Sequence, residues 1–117
     1  MVERRLQAVA GELACREAER ILLHVLQCSR AELYLHATPF SRESADRAID
    51  LAGKRAGGMP LPYVLGTVDF HDVRLSVTPD VLIPRPDTEV LVEAVLRREE
   101  ETRSIFVDMG TGSAAIA

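Results

Sequence analysis

Along residues 13–27, LACREAERILLHVLQ, the apolar positions Ala14, Ala18, Leu22, Val25 and Leu26 recur at steps of three and four, the signature of one face of an amphipathic helix. Such a face requires a partner. In SRAELYLH, Ser29 and Glu32 have the S-x-x-E spacing in which each side chain satisfies a free amide at a helix start, and Leu33, Tyr34 and Leu35 follow. SRESADRAIDLAGKRAGG then offers Ser41 as an N-cap, Ala45, Ala48, Ile49 and Ala52 as a buried stripe, and Gly57-Gly58 as the stop. These segments predict an α-helical bundle over residues 1–66.

After LPYVLG the period shortens. In TVDFHDVRLSVT, Val68 and Phe70 alternate with polar residues, as do Val73, Leu75 and Val77, which predicts a β-hairpin linker over 67–78 that reverses near His71-Asp72. In the stretch that follows, Pro79, Pro84 and Pro86 impose an extended lead-in, and Asp87 or Thr88 caps a helix whose buried face is Val90, Leu91, Ala94 and Val95. Glu99, Glu100 and Glu101 read as a solvated loop. SIFVD at 104–108, an apolar run ending in a carboxylate, suits a buried parallel strand.

Composition narrows the possible partners. Fourteen Lys and Arg against eighteen Asp and Glu leave a net charge of −4, and the basic pairs Arg4/Arg5, Lys54/Arg55 and Arg97/Arg98 are scattered. A polyphosphate backbone calls for a gathered basic face, so direct nucleic-acid binding is not expected. The start has arginines but no long apolar stretch, and no run approaches the ~20 residues that span a bilayer. A cytoplasmic protein with no membrane partner is expected. Cys15 and Cys28 are too few for a disulfide scaffold and read as reduced thiols.

Candidate chemistry lies in two places. Asp108 followed by Gly110 and Gly112 before AAIA has the order of a strand-turn-helix opening, in which glycines let a ligand approach the backbone. A carboxylate so near the turn repels a pyrophosphate and attracts the cationic sulfonium and ammonium of S-adenosylmethionine. Locally, a methyltransferase turn, a dinucleotide turn and a ligand-free tight turn all remain open. In IPRPDTE, Arg85 stands between two prolines just ahead of a helix start, where it either grips a carboxylate or decorates a rigid linker.

Other polar residues read as structural. His24 and Cys28 stand four apart on the expected first helix with no third metal ligand at a useful spacing. His36 and His71 lack a nucleophilic arrangement, and Tyr34, Tyr63 and Phe70 read as core rather than as stacking platforms.

GMPLPYVLG, VDFHDVRLSVTPDVLIPRPDTEVLVE and FVDMGTGSAAIA, in this order and spacing, resemble the protein-(glutamine-N5) methyltransferases that modify peptide-chain release factors. The helical first half is similar to that family's N-terminal bundle. The resemblance implies a helical bundle and hairpin linker leading into the truncated start of an α/β Rossmann-like methyltransferase domain at 79–117. It implies S-adenosylmethionine as cofactor, release factors as partners, and cofactor contacts from Gly110, Thr111, Gly112, Ser113 and Ala114. Asp108 would support that loop, with Arg85 and Thr88 as neighbours. Two departures bear on activity: Ala114 stands where the family usually has glycine, and its Asn-Pro-Pro-Tyr acceptor motif is absent from this sequence. No catalytic residue is therefore expected in these 117 residues, and the chain alone is expected to be inactive. A related nucleic-acid amino-methyltransferase and a non-enzymatic helical interaction module are the alternatives.

Overall fold

The structure, a computed structural model, describes residues 14–99, 105 and 107–117. The chain divides into two compact units at Leu65/Gly66. The part of the expected bundle in residues 1–13 lies outside the described residues.

The first unit contains α1 (Ala14–Leu26), α2 (Arg30–Tyr34), α3 (Arg42–Ala56) and α4 (Leu61–Leu65). Its core gathers Ala14, Ala18 and Ile21 from α1, Ala48, Leu51 and Ala52 from α3, and Leu61 and Val64 from α4. The shared alanines let α1 and α3 approach closely, and Leu22, Val25 and Leu65 pack around them. Burial departs from the sequence pattern by a rotation of each helix. Ala14 and Ala18 on α1 and Ala48 and Ala52 on α3 are buried as expected, but Ile21 and Leu51 join them inside, while Leu22, Val25, Leu26, Ala45 and Ile49 are half-buried.

The helix ends follow from local chemistry. Ser29 Oγ accepts from the Glu32 amide, and Glu32 Oε2 accepts from the Ser29 amide at 2.8 Å, closing a capping box on α2. Ser41 Oγ accepts from the Ser44 amide at 3.1 Å and starts α3. Gly58 then takes φ +95°, a left-handed conformation that ends α3 without a Cβ clash. α1 stops at Leu26, where Gln27 turns left-handed and its side-chain amide donates to the His24 carbonyl. Cys28 is therefore past the helix end, and His24 and Cys28 do not share a helix face.

The second unit opens with β1 (Thr67–Phe70) and β2 (Val73–Ser76), antiparallel, with Thr67 opposite Ser76, Val68 opposite Leu75, Asp69 opposite Arg74 and Phe70 opposite Val73. His71 and Asp72 make the turn, with His71 at φ +48°. Arg74 Nε donates to Asp69 Oδ1 at 2.8 Å across the ladder, and this contact raises the Arg74 pKa above its ordinary value. Phe70 and Val77 are buried, but Val73 faces solvent.

α5 runs from Pro86 to Glu99. It starts ahead of the expected cap at Asp87 or Thr88, because proline loses no hydrogen bond at the first helical position and its fixed φ suits the helix. Glu99 accordingly closes a helix rather than lying in a loop, while Glu100 and Glu101 lie outside the described residues. The expected buried face is not buried: Val90 is 68% exposed, Leu91 50%, Ala94 is exposed and Val95 half-buried. An amphipathic pattern marks which side can be covered, and no described element covers it. Ser104 and Phe106 of the expected strand lie outside the described residues, whereas Ile105 and Val107 are exposed and unpaired in any sheet. Parallel pairing needs neighbouring strands, and the hairpin is the one sheet among the described residues. Residues 112–114 form a turn, and the helix expected at AAIA is not formed.

Candidate functional site

The glycine turn contains three left-handed residues: Gly110 at φ +79°, Gly112 at +55° and Ala114 at +61°. A Cβ added at Gly110 would meet nothing within 4 Å, and one at Gly112 only the Gly110 carbonyl at 3.8 Å. Backbone conformation, not space, is thus what glycine supplies here. Thr111 Oγ1 donates to the Asp108 carbonyl at 3.2 Å, and the Ala114 amide donates to the Thr111 carbonyl at 2.8 Å. These two bonds fold residues 108–114 onto themselves. Ser113 is half-buried and Thr111 exposed. Asp108 is half-buried, and its Oδ2 is enclosed with no hydrogen-bond partner among the described residues.

Arg85 and Thr88 belong to a separate element. Arg85 is exposed immediately before Pro86, and its carbonyl accepts from the Thr88 amide at 3.0 Å, closing the first turn of α5. In the same turn, Glu89 Oε1 accepts from the His71 amide at 3.0 Å, joining the hairpin apex to α5. No sequence pattern announces a bond across 18 positions. The His71 side chain is engaged elsewhere, its Nδ1 lying 3.2 Å from Asp72 Oδ2.

A second feature not foreseen from the sequence is an apolar groove of about 710 Å³ on the first unit, between α1, α2, the following loop and α3. Ala18, Leu22, Leu26, Leu33, Phe40 and Ile49 line it. At its edge Glu19 takes both Arg30, with Nε to Oε1 at 2.6 Å, and the Tyr34 hydroxyl, at 3.2 Å. Glu19 raises the Arg30 pKa above its ordinary value, first by hydrogen bonding and then by charge. Tyr34, expected in the core, is 63% exposed because this hydroxyl contact draws it to the rim. Among the described residues no His, Cys, Asp and Glu cluster could hold a metal, and no helix is long and apolar enough to cross a membrane.

Residues 1–66 match the family model described as the PrmC N-terminal domain. The chain is similar to the release factor glutamine methyltransferase of Neisseria gonorrhoeae, 43% identical over 102 residues, or 86% of this chain and 37% of the relative. The protein of the same name from Coxiella burnetii is 42% identical over 105 residues, covering 86% and 37%. That of Burkholderia pseudomallei is 40% identical over 110 residues, covering 92% and 39%. The chain therefore spans between a third and two fifths of the length of these relatives. With its bundle matched as a unit and the hairpin and proline-flanked segment continuing the similarity, the chain belongs to the release factor glutamine methyltransferase family, as its N-terminal portion.

Proposed function

We propose that this chain is the N-terminal portion of an enzyme that transfers a methyl group from S-adenosylmethionine to the side-chain amide nitrogen of the glutamine in the Gly-Gly-Gln tip of peptide-chain release factors, a modification of the translation-termination machinery. The observation that carries the reading is the run of similarity from the family bundle through IPRPDTE toward the glycine turn. In this reading residues 1–66 are the release-factor-binding bundle, 67–78 the linker, and 79–117 the start of a Rossmann-like domain.

The residues present suit the cofactor. Asp108 has an enclosed carboxylate oxygen with no partner among the described residues, beside a turn of left-handed residues, and a carboxylate favours a cationic ligand there. Gly110, Thr111, Gly112, Ser113 and Ala114 would hold it through backbone groups, with Arg85 and Thr88, on a separate element, as the further neighbours that the family resemblance implies. When bound, S-adenosylmethionine supplies an electrophilic methyl on sulfur. The acceptor amide is a poor nucleophile because its lone pair is delocalised into its carbonyl, so rate comes from accepting its N–H hydrogens and aiming the nitrogen. No residue of this chain is assigned that task, and the chain alone is inactive in this reading.

A protein substrate also suits the charges. Arg30, Lys54, Arg55, Arg74 and Arg97 each pair with a carboxylate, which leaves them poorly placed to gather on phosphates. The test is methyl transfer from radiolabelled S-adenosylmethionine to a purified release factor. The complete enzyme should label the Gly-Gly-Gln glutamine, and this chain alone should give background counts. Turnover by the chain alone, or labelling of a nucleic acid instead, would overturn the reading.

A further inference from the structure

The hairpin apex carries an amide that its own ladder cannot use. Strand pairing ends at Phe70 opposite Val73, so the His71 N–H points out of the two-residue turn. Its acceptor is Glu89 Oε1 at 3.0 Å, from the beginning of α5. The intervening chain includes Pro79, Pro84 and Pro86, stiff at its far end, and delivers Arg85 to the helix start. Glu89 is half-buried, and the His71 imidazole is turned toward Asp72, leaving the backbone amide as the group that Glu89 holds. The consequence is a clasp. With the apex fixed to the first turn of α5, residues 72–88 are closed into a loop whose far end carries Pro84-Arg85-Pro86 into the helix start.

We propose that Glu89 is a positioning residue for methyl transfer, acting through the hairpin apex to fix where the Pro84-Arg85-Pro86 segment presents Arg85. The role rests on the proposed methyltransferase reading. It depends on the acceptor oxygen and on the length of the side chain, not on the negative charge. Glu89→Gln keeps an oxygen at the same reach, Glu89→Asp keeps the charge but shortens the arm, and Glu89→Ala removes the acceptor.

Two measurements test it. In the isotope-labelled chain, amide exchange at His71 should quicken about tenfold or more in Glu89→Ala and Glu89→Asp, with the Arg85 and Thr88 amide resonances moving, and stay near wild type in Glu89→Gln. In the complete enzyme, Glu89→Ala and Glu89→Asp should lower kcat/KM for S-adenosylmethionine about tenfold or more, and Glu89→Gln should restore most of it. Should Glu89→Ala fail to fold, Glu89→Asp, which fills the same site, decides. Wild-type turnover in Glu89→Asp, an unchanged His71 amide, or a Glu89→Gln enzyme as slow as Glu89→Ala would each overturn the proposal. A silent wild-type enzyme would overturn the methyltransferase reading and with it the positioning role, while the exchange data would still show whether the clasp exists.

Discussion

Arg55 on α3 grips Glu17 on α1 with two bonds, Nε to Oε2 at 2.8 Å and Nη2 to Oε1 at 3.2 Å. Both side chains are largely shielded, at 17% and 15% exposure, so the pair is little screened by water. Removing one partner leaves a half-buried charge unmatched, and that costs more than the pair itself contributes. Arg55→Ala should lower unfolding free energy by about 2 kcal/mol, read from urea denaturation. Arg55→Lys should recover less than half of the loss, because an ammonium cannot reproduce the paired donors. Full recovery with lysine would show that charge alone matters at this contact.

Glu32 reports on the capping box of α2 through its titration. Its carboxylate accepts first from the Ser29 amide and then from the Ser29 hydroxyl, and both bonds hold its pKa below the ordinary value of 4.5. Because the folded value is the depressed one, the cap stabilises fully above pH 4.5 and is lost as pH falls through the folded value. A carboxyl NMR titration should place the Glu32 midpoint under 4.5. Ser29→Ala should move it only part of the way back, since the amide bond remains. A midpoint at or above the ordinary value would mean the box is open in solution.

The turn at Gly110–Ala114 makes opposite predictions for two small substitutions. Ala114 sits at φ +61°, where a Cβ costs roughly 1 kcal/mol, so Ala114→Gly should leave affinity for S-adenosylmethionine unchanged or up to about fivefold tighter. Gly110→Ala should weaken it by a similar factor although the Cβ finds open space, because φ +79° is the obstacle. Calorimetric titration of the complete enzyme gives both numbers. Equal affinities for Gly110→Ala and wild type would separate this turn from cofactor binding.

What could be read from the residues was local. The Ser29–Glu32 box, the Ser41 cap, the Gly57-Gly58 stop and the reversal at His71-Asp72 each depend on neighbours within a few positions, and each stands in the structure. The faces of α1 and α3 were legible only to within a rotation, because Ile21-Leu22-Leu23 is apolar throughout and the partner helix decides which residue turns inward. Contacts between distant residues left no trace in the pattern: Arg55 with Glu17, Tyr34 with Glu19, and Glu89 with the His71 amide lie 38, 15 and 18 positions apart. The strand expected at 104–108 required pairing that no described residue provides, whereas the order of the Asp108–Ala114 turn was readable because glycine and its neighbours act on their own backbone.

The exposed face of α5 has a calorimetric consequence. Val90, Leu91 and Leu96 are half or more in water while the helix is intact, so melting it hydrates little new apolar surface. Heat-capacity change and denaturant sensitivity both scale with the surface uncovered on unfolding. The helix is therefore expected to fray over a broad temperature range with a small heat-capacity step, which differential scanning calorimetry would read. A sharp transition is expected instead from the layer of Ala14, Ala18, Ile21, Ala48, Leu51 and Ala52, whose apolar surface is uncovered only when the helices part.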